Sequence, residues 1–438
     1  MMKQTVCLIG RPNVGKSTVF NRLIGEKKAI ILDTPGVTRD RLYGDVTYDE
    51  KSFLLIDTGG INIENDAINQ NIKYQAEIAI AESDVVVFIV DGREELTAND
   101  YAIRDLLIKS NKRVIVAVNK LDNPSLQATN IYDYYQLGFE TIIPISASHN
   151  MGFGELLDEI TKEFKPTTEE NDDNLRFCII GRPNVGKSSL INALLNEERV
   201  IVSDVPGTTR DAIDTKFKYM QEEYTVIDTA GMRKKGRIYE SIEKYSLIRS
   251  LKAIDRSNVC VVVINAEEGI IEHDKHIASY AIEAGKAIVL VINKWDTVAN
   301  SNQDIKTWQQ LIAQNFQFIP YAKVVFLSAK TKKRVATLMP EVISAFSNAS
   351  QELKTSLVND VIRDAVALHQ PPSYKGRRLK IYFVNQIGVR PPKFLFRVND
   401  KKLVHFSYYR YLENALRSNF ELSGTPIIIQ FKNKDEVD

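Results

Sequence analysis

The chain has 438 residues, 44% of them hydrophobic, which is enough for roughly two to four domains with cores of their own. Lys and Arg number 57 against 56 Asp and Glu, so polyelectrolyte binding by the chain as a whole is not indicated. No apolar run approaches the roughly 18 to 20 residues that span a bilayer, no leader cleavage pattern precedes residue 5, and three cysteines cannot all pair. These features predict a soluble, cytoplasmic protein whose thiols stay reduced and pack as small hydrophobes.

A tandem repeat organises the rest. Gly-Arg-Pro-Asn-Val-Gly-Lys-Ser occupies residues 10–17 and again 181–188, an offset of 171 that also carries Cys7 onto Cys178, Thr38 onto Thr209 and Asp57 onto Asp228. In chain order, apolar runs at 5–9, 53–56, 85–90, 114–118 and 141–145 alternate with helical stretches, and the second copy repeats them at 177–180, 224–227, 259–264, 287–292 and 324–327. Continuously apolar runs suit strands buried on both sides, so each copy reads as an α/β domain, a mostly parallel sheet with helices on both faces. Residues 165–174 between the copies are acidic, poor in apolar side chains and open on proline, as a flexible linker would. After Ser350 the pattern becomes helix, strand, strand, helix, strand, an α+β domain. Residues 371–410 hold ten Lys or Arg against one acid, a face that attracts phosphate backbones. Lys375, Arg377, Arg378, Lys380, Arg390 and Lys393 are its candidate RNA-facing residues.

A GxxxxGKS turn between a strand and a helix is a phosphate cradle, because backbone N–H groups converge there on anionic oxygens and bulky side chains would block the approach. Gly10, Gly15, Gly181 and Gly186 give that access, while Lys16 and Lys187 bring positive charge to the β and γ phosphates. Asn13, Val14 and Thr18 complete the first cradle, and Asn184, Val185 and Ser189 the second; Ser17 and Ser188 offer hydroxyls to Mg²⁺. Downstream, Asp57-Thr58-Gly59-Gly60 and Asp228-Thr229-Ala230-Gly231 end apolar runs. Their carboxylates suit the Mg²⁺ shell, and the amides of Gly60 and Gly231 suit the γ-phosphate. Thr38 and Thr209 are candidates for a threonine that meets Mg²⁺ only with triphosphate bound.

Asn119-Lys120-Leu121-Asp122 and Asn293-Lys294-Trp295-Asp296 turn a general nucleotide site into a guanine site. Asp122 and Asp296 can each accept hydrogen bonds from the guanine ring N–H and exocyclic amine, a pairing that adenine lacks. Lys120 and Lys294 cover the ring with their stems, Asn119 and Asn293 tie this loop to the phosphate loop, and Ser146-Ala147 and Ser328-Ala329 supply backbone donors to the base carbonyl. After Ser328-Ala329, residues 330–334 (Lys-Thr-Lys-Lys-Arg) replace the glycine-containing turn of the first copy, which puts that loop's base contact in question.

With these residues in place, both copies resemble translation-factor-like GTPases, and the tandem arrangement resembles the EngA family, also called Der, of bacterial two-domain GTPases. The markers are the doubled octapeptide and the segments 33–40 (Asp-Thr-Pro-Gly-Val-Thr-Arg-Asp) and 205–211 (Val-Pro-Gly-Thr-Thr-Arg-Asp); the likeness covers nearly the whole chain. It implies two tandem P-loop GTPase domains followed by a KH-like domain, hydrolysis of GTP to GDP, and action in late assembly of the large (50S) ribosomal subunit. In similar potassium-stimulated GTPases the asparagine matching Asn13 and Asn184 helps bind K⁺ beside the phosphates. The glutamine that orients water in Ras-like GTPases is replaced by Ile61 and Met232, so slow intrinsic turnover is expected. Arg233-Lys234-Lys235-Gly236-Arg237 lies on a predicted switch and is either a solvated face or a contact to RNA or another domain. The KH-like region has no GxxG after Gly376, so its basic surface is expected to meet structured ribosomal RNA, ribosomal protein or the acidic remainder of the chain.

The domain limits expected are 1–164, a linker at 165–174, 175–350 and 351–438. The expected partners are GTP, GDP and the large ribosomal subunit, with no membrane, for a chain acting as a monomer. Two rival readings are a signalling GTPase with a protein effector and a GTPase associated with RNA modification.

Overall fold

The computed structural model describes residues 4–25, 43–57, 80, 83–122, 131–164, 174–197, 199–202, 214–227, 250–298, 305–374, 376–434 and 436. The chain divides into two compact units, Met1–Asp172 and Asp173–Asp438. Most of the linker segment, residues 165–173, lies outside the described residues, as does the basic run 233–237.

In the first unit β1 (Gln4–Ile9), α1 (Lys16–Ile24), β2 (Tyr43–Tyr48), β3 (Lys51–Asp57), β4 (Val85–Asp91), α2 (Ala98–Ser110), β5 (Arg113–Asn119), β6 (Ile142–Pro144) and α3 (Phe153–Thr161) follow one another. The sheet order is β2-β3-β1-β4-β5-β6, parallel throughout except for the β2–β3 hairpin. Every residue of β4 is buried, as a strand covered on both faces requires. Strand order reverses at β1, and open α/β sheets bind ligands in the crevice beyond the C-terminal strand ends at such a point.

The second unit repeats this plan with β7 (Arg176–Ile180), α4 (Lys187–Leu195), β8 (Val200–Val202), β9 (Thr215–Tyr219), β10 (Glu222–Ile227), β11 (Val259–Asn265), α5 (Glu272–Glu283), β12 (Ala287–Asn293), α6 (Trp295–Val298), α7 (Ile305–Asn315), β13 (Lys323–Phe326) and α8 (Leu338–Ala349). Its order, β8-β9-β10-β7-β11-β12-β13, matches the first sheet from β9 to β13, with β8 beside β9; the residues of the first copy that correspond to β8 lie outside the described residues. Continuous apolar runs do not reveal β2 or β9, and the three-residue apolar run of β8 is not among the strands expected. In β9, Thr215, Phe217 and Tyr219 are buried and alternate with exposed lysines, the period-two pattern of a strand covered on one face only. Cys178 and Cys260 face each other across β7 and β11 with their sulfurs 3.6 Å apart, and Cys7 meets Ser83; all three are buried thiols within the cores, and burial raises the Cys178 pKa.

The C-terminal region follows in the same unit: α9 (Thr355–Leu368), the short pair β14 (Ser373–Tyr374) and β15 (Arg377–Arg378), β16 (Ile381–Gly388), β17 (Lys393–Val398), α10 (Phe406–Asn419) and β18 (Ile428–Asn433). Apart from the two-residue hairpin this is the αββαβ order read from the sequence. The sheet β16-β17-β18 buries Val384, Phe394 and Phe396 with the apolar sides of α9 and α10. Phe383, Asn385, Ile387, Leu395, Arg397, Gln430 and Lys432 line a cavity of about 330 Å³ on this sheet.

This region is bonded to the second α/β domain through backbone. Ile288 N, near the start of β12, donates to Gly424 O at 2.7 Å, and Gly424 N donates to Tyr321 O at 2.7 Å. Gly424 has φ +77°, and a Cβ there would sit 2.8 Å from the Ala345 Cβ in α8, so the approach needs a glycine. The Arg417 guanidinium stacks 4.0 Å from the Tyr321 ring centroid, and Asn348 Nδ2 donates to Ser423 O at 2.9 Å.

Candidate functional site

Both octapeptide loops leave a sheet strand and enter a helix at the crevice. Gly15 (φ +93°) and Gly186 (φ +98°) are the N-caps of α1 and α4. A Cβ at either would stand 2.4 or 2.3 Å from the amide nitrogen of Asn119 or Asn293, so conformation and space both demand glycine. Neither helix start is closed by a side-chain cap, and neither first turn holds an acid, which leaves the positive end of the helix to an anion.

Lys16 Nζ donates to Gly10 O at 2.9 Å and Arg11 O at 2.8 Å; Lys187 Nζ donates to Gly181 O at 2.7 Å and Arg182 O at 2.6 Å. Each ammonium thus rests inside its own loop, and burial lowers its pKa, that of Lys187 to about 8. The sign follows directly. Below pH 8 Lys187 is already charged and affinity is insensitive to its titration. Above pH 8 it is neutral until an anion draws a proton onto it, so phosphate affinity at the second site falls as pH rises, by up to about tenfold per unit. Calorimetry in two buffers of different ionisation enthalpy should register proton uptake on nucleotide binding at pH 9 that is absent at pH 7; no uptake at pH 9 would contradict the lowered pKa.

In the first copy Ser17 Oγ donates to Asp57 Oδ2 at 2.8 Å, with Asp57 buried at the end of β3. A hydroxyl and a carboxylate so close form the hard oxygen set that Mg²⁺ takes alongside phosphate and water. In the second copy Ser188 holds the same helical position in α4. Thr38, Gly60, Thr209, Asp228 and Gly231 lie outside the described residues, as do Ile61 and Met232. Asn13 (φ +68°) and Asn184 (φ +62°) adopt the same left-handed conformation at the exposed crest of each loop.

The base loops are tied to the phosphate loops identically in the two copies. Asn119 Nδ2 donates to Val14 O at 2.8 Å and Asn293 Nδ2 to Val185 O at 2.8 Å; their Oδ1 atoms accept from Ala147 N and Ala329 N, each at 3.0 Å. One buried amide therefore joins three loops. Residues 330–334 keep this geometry without a glycine: Lys332 (φ +59°) and Arg334 (φ +63°) take the left-handed conformations of Asn150 (φ +57°) and Gly152 (φ +77°), and Ser328 N donates to Lys333 O at 3.0 Å. Lys120 Nζ bonds Asn13 O at 2.8 Å and Asp91 Oδ2 at 2.6 Å, while Lys294 pairs with Glu267 at 3.3 Å. Hydrogen bonds, first from Ser146 and then from Arg93, Ser148 and His149, hold the Asp122 carboxyl well below the usual range. Asp296 Oδ1 is buried without a hydrogen-bond partner.

Motif reading overlooks a third component, the arginine inside the octapeptide. Arg182 Nε donates to Asp274 at 2.8 Å and its Nη1 to Glu268 at 2.6 Å; Arg11 pairs with Glu94 at 2.5 Å and Asp100 at 3.4 Å. Asp100 and Asp274 are fully buried residues in the first turns of α2 and α5, so each phosphate loop is anchored to the following helix. The signal was in the sequence: the offset of 174 that relates the base motifs also carries Glu94 onto Glu268 and Asp100 onto Asp274.

In the basic region Arg377, Arg378 and Lys380 are exposed and Lys393 is half-buried. Arg390 sits elsewhere, its N–H bonded to Ala349 O at 2.9 Å and its guanidinium over the Phe346 ring of the α/β domain. Lys375 lies outside the described residues. Among the described residues no helix is long and apolar enough to cross a membrane.

Comparison with known proteins places this architecture. Residues 5–120 and 176–294 each match the family model described as "50S ribosome-binding GTPase", and residues 352–432 match the "KH-domain-like of EngA bacterial GTPase enzymes, C-terminal". The GTPase Der of Macrococcus caseolyticus is 53% identical over 429 residues, covering 98% of both chains. That of Staphylococcus carnosus is 52% identical over 431 residues, covering 98% of this chain and 99% of its own. That of Listeria monocytogenes is 51% identical over 437 residues, covering 99% of this chain and all of its own. Two sheets alike in strand order, two phosphate loops alike in geometry and relatives matched end to end lead to one assignment: this chain belongs to the EngA (Der) family of GTPases, with two P-loop GTPase domains of α/β fold followed by a KH-like domain.

Proposed function

We propose that this protein is a GTP-driven switch in late assembly of the large ribosomal subunit, working in the cytoplasm as a monomer and docking through its basic KH-like domain. Its working parts are residues 1–164, 175–350 and 351–438, with 165–174 as the linker. The observation that carries the proposal is the bond between Ile288 N and Gly424 O: the strand that starts at the KH-like domain ends at Asn293, the residue that ties the second base loop to its phosphate loop. A shift of that base loop can thus travel along β12 to the domain bearing Arg377, Arg378, Lys380 and Lys393; Lys375 and Arg390 are proposed to face RNA from their places in the basic sequence alone.

In this reading Gly10, Asn13, Val14, Gly15, Lys16, Thr18 and Gly60 hold the first triphosphate, and Gly181, Asn184, Val185, Gly186, Lys187, Ser189 and Gly231 the second. Ser17, Thr38 and Asp57, and Ser188, Thr209 and Asp228, take Mg²⁺, which neutralises charge on the phosphates. The bases are read by Asn119, Lys120, Asp122, Ser146 and Ala147, and by Asn293, Lys294, Asp296, Ser328 and Ala329. With Ile61 and Met232 unable to orient water, Asn13 and Asn184 hold K⁺ in its place. Hydrolysis is then faster in K⁺ than in Na⁺ at equal ionic strength; equal rates would remove K⁺ from the account. Co-sedimentation with purified ribosomal subunits in GDP, GTP and a non-hydrolysable analogue tests the whole. Retention on the large subunit should differ between GDP and analogue, and an absence of nucleotide-dependent retention at any salt concentration would refute the switch.

A further inference from the structure

The two base sites share a backbone but carry opposite charge beside the carboxylate. Arg93 N donates to Asp91 Oδ1 at 3.1 Å, and Glu267 N donates to Asn265 Oδ1 at 3.0 Å, so the same turn launches both side chains from the ends of β4 and β11. They then diverge. The Arg93 guanidinium pairs with Asp122 Oδ2, whereas Glu267 turns to Lys294. The other oxygen of Asp122 accepts from Ser146 at 2.7 Å and Ser148 at 3.1 Å, and lies 3.3 Å from His149 Nδ1. In the second copy Lys330 and Thr331 replace Ser148 and His149, Ser328 Oγ accepts from Thr331 N at 3.2 Å, and Asp296 Oδ1 is left buried without a partner.

Guanine brings two donors, the ring N–H and the exocyclic amine, to one carboxylate. At the second site one of the two oxygens, Asp296 Oδ1, is already desolvated and unbonded, and its unmet hydrogen bond is recovered when guanine donates to it. At the first site the acceptors are engaged, and the guanidinium must leave before the base can enter. We propose that Arg93 is a positioning residue acting through Asp122: a latch that closes the first base site until guanine displaces it, whereas at the second site Glu267 pairs with Lys294 and latches no carboxylate. The inference rests on the assignment of Asp122 and Asp296 as base acceptors. Closure lowers apparent affinity by the fraction of time the site is shut, and so acts on association and not on dissociation.

The test isolates the first site in the full chain with Asp296→Asn, which exchanges an acceptor for a donor at the second. Stopped-flow association and dissociation of fluorescent GDP are then compared with and without Arg93→Ala. The Arg93 side chain is 62% exposed, so the variant removes no core contact. Association should accelerate about two- to fivefold, the range that an exposed ion pair commands, with dissociation unchanged. An unchanged association rate, or a change confined to dissociation, overturns the latch. Failure of GDP to bind the first site whether or not Arg93 is present would instead overturn the base assignment beneath it.

Discussion

Lys187→Ala is expected to lower GTP affinity at the second site about 100-fold and leave the first site untouched, and Lys16→Ala to do the reverse. Each ammonium is partly buried and held by two loop carbonyls. A partly buried cation satisfied only by neutral carbonyls exchanges them favourably for anionic phosphate oxygens. Charge-assisted hydrogen bonds contribute about 1.5–3 kcal/mol each, and about 2.7 kcal/mol corresponds to the factor of 100. The helix N-terminus and loop amides remain, so weak anion binding survives at the altered site. Titration with labelled nucleotide should show the stoichiometry fall from two to one in each variant, with an unchanged melting transition excluding misfolding. Loss of both sites from a single substitution would mean that the two domains bind as one cooperative unit.

Asp296→Asn should convert the second site from guanine to xanthine nucleotides. A carboxylate offers two acceptors; an amide offers one acceptor and one donor. Guanine presents donors at both positions, so the amide nitrogen would confront the exocyclic amine, whereas xanthine carries a carbonyl there and restores both bonds. A site built on hydrogen bonds rejects the mismatched partner strongly because buried groups are left unpaired, and GTP affinity should fall about 100-fold or more while XTP binding appears. Asp122→Asn should act likewise at the first site, with a smaller loss, since the reference there already includes the Arg93 contact. Competition between the two nucleotides at each isolated site reads the exchange. Retained GTP preference in Asp296→Asn would place base recognition elsewhere.

How much of this was legible differs by layer. Strands such as 85–90 and 259–264 announce themselves because both faces are covered and every side chain must be apolar. Strand β9 does not, since half its side chains meet solvent and it is specified by its partner β10 as much as by its own residues. The phosphate loops were legible to the residue, because their chemistry sits in backbone amides that only a fixed spacing of glycines can expose. The absence of glycine from 330–334 was misleading: Lys332 and Arg334 accept left-handed backbone, a local strain offset by the hydrogen bonds that close the loop onto Ala329 and Asn293.

Local sequence therefore settled the duplication, the α/β plan of each copy and the glycine cradles, and it nominated Asp122 and Asp296 as base-reading carboxylates, since each is written in residues close along the chain. The folded molecule alone decided what those carboxylates touch before a nucleotide arrives, which helix anchors each phosphate loop and where the KH-like domain grips the second sheet. Those contacts join positions 29 residues apart at Arg93 and Asp122 and 92 apart at Arg182 and Asp274. Pairings at such separations depend on how packed helices and strands aim their side chains in three dimensions, and no spacing rule along a single sequence encodes that direction.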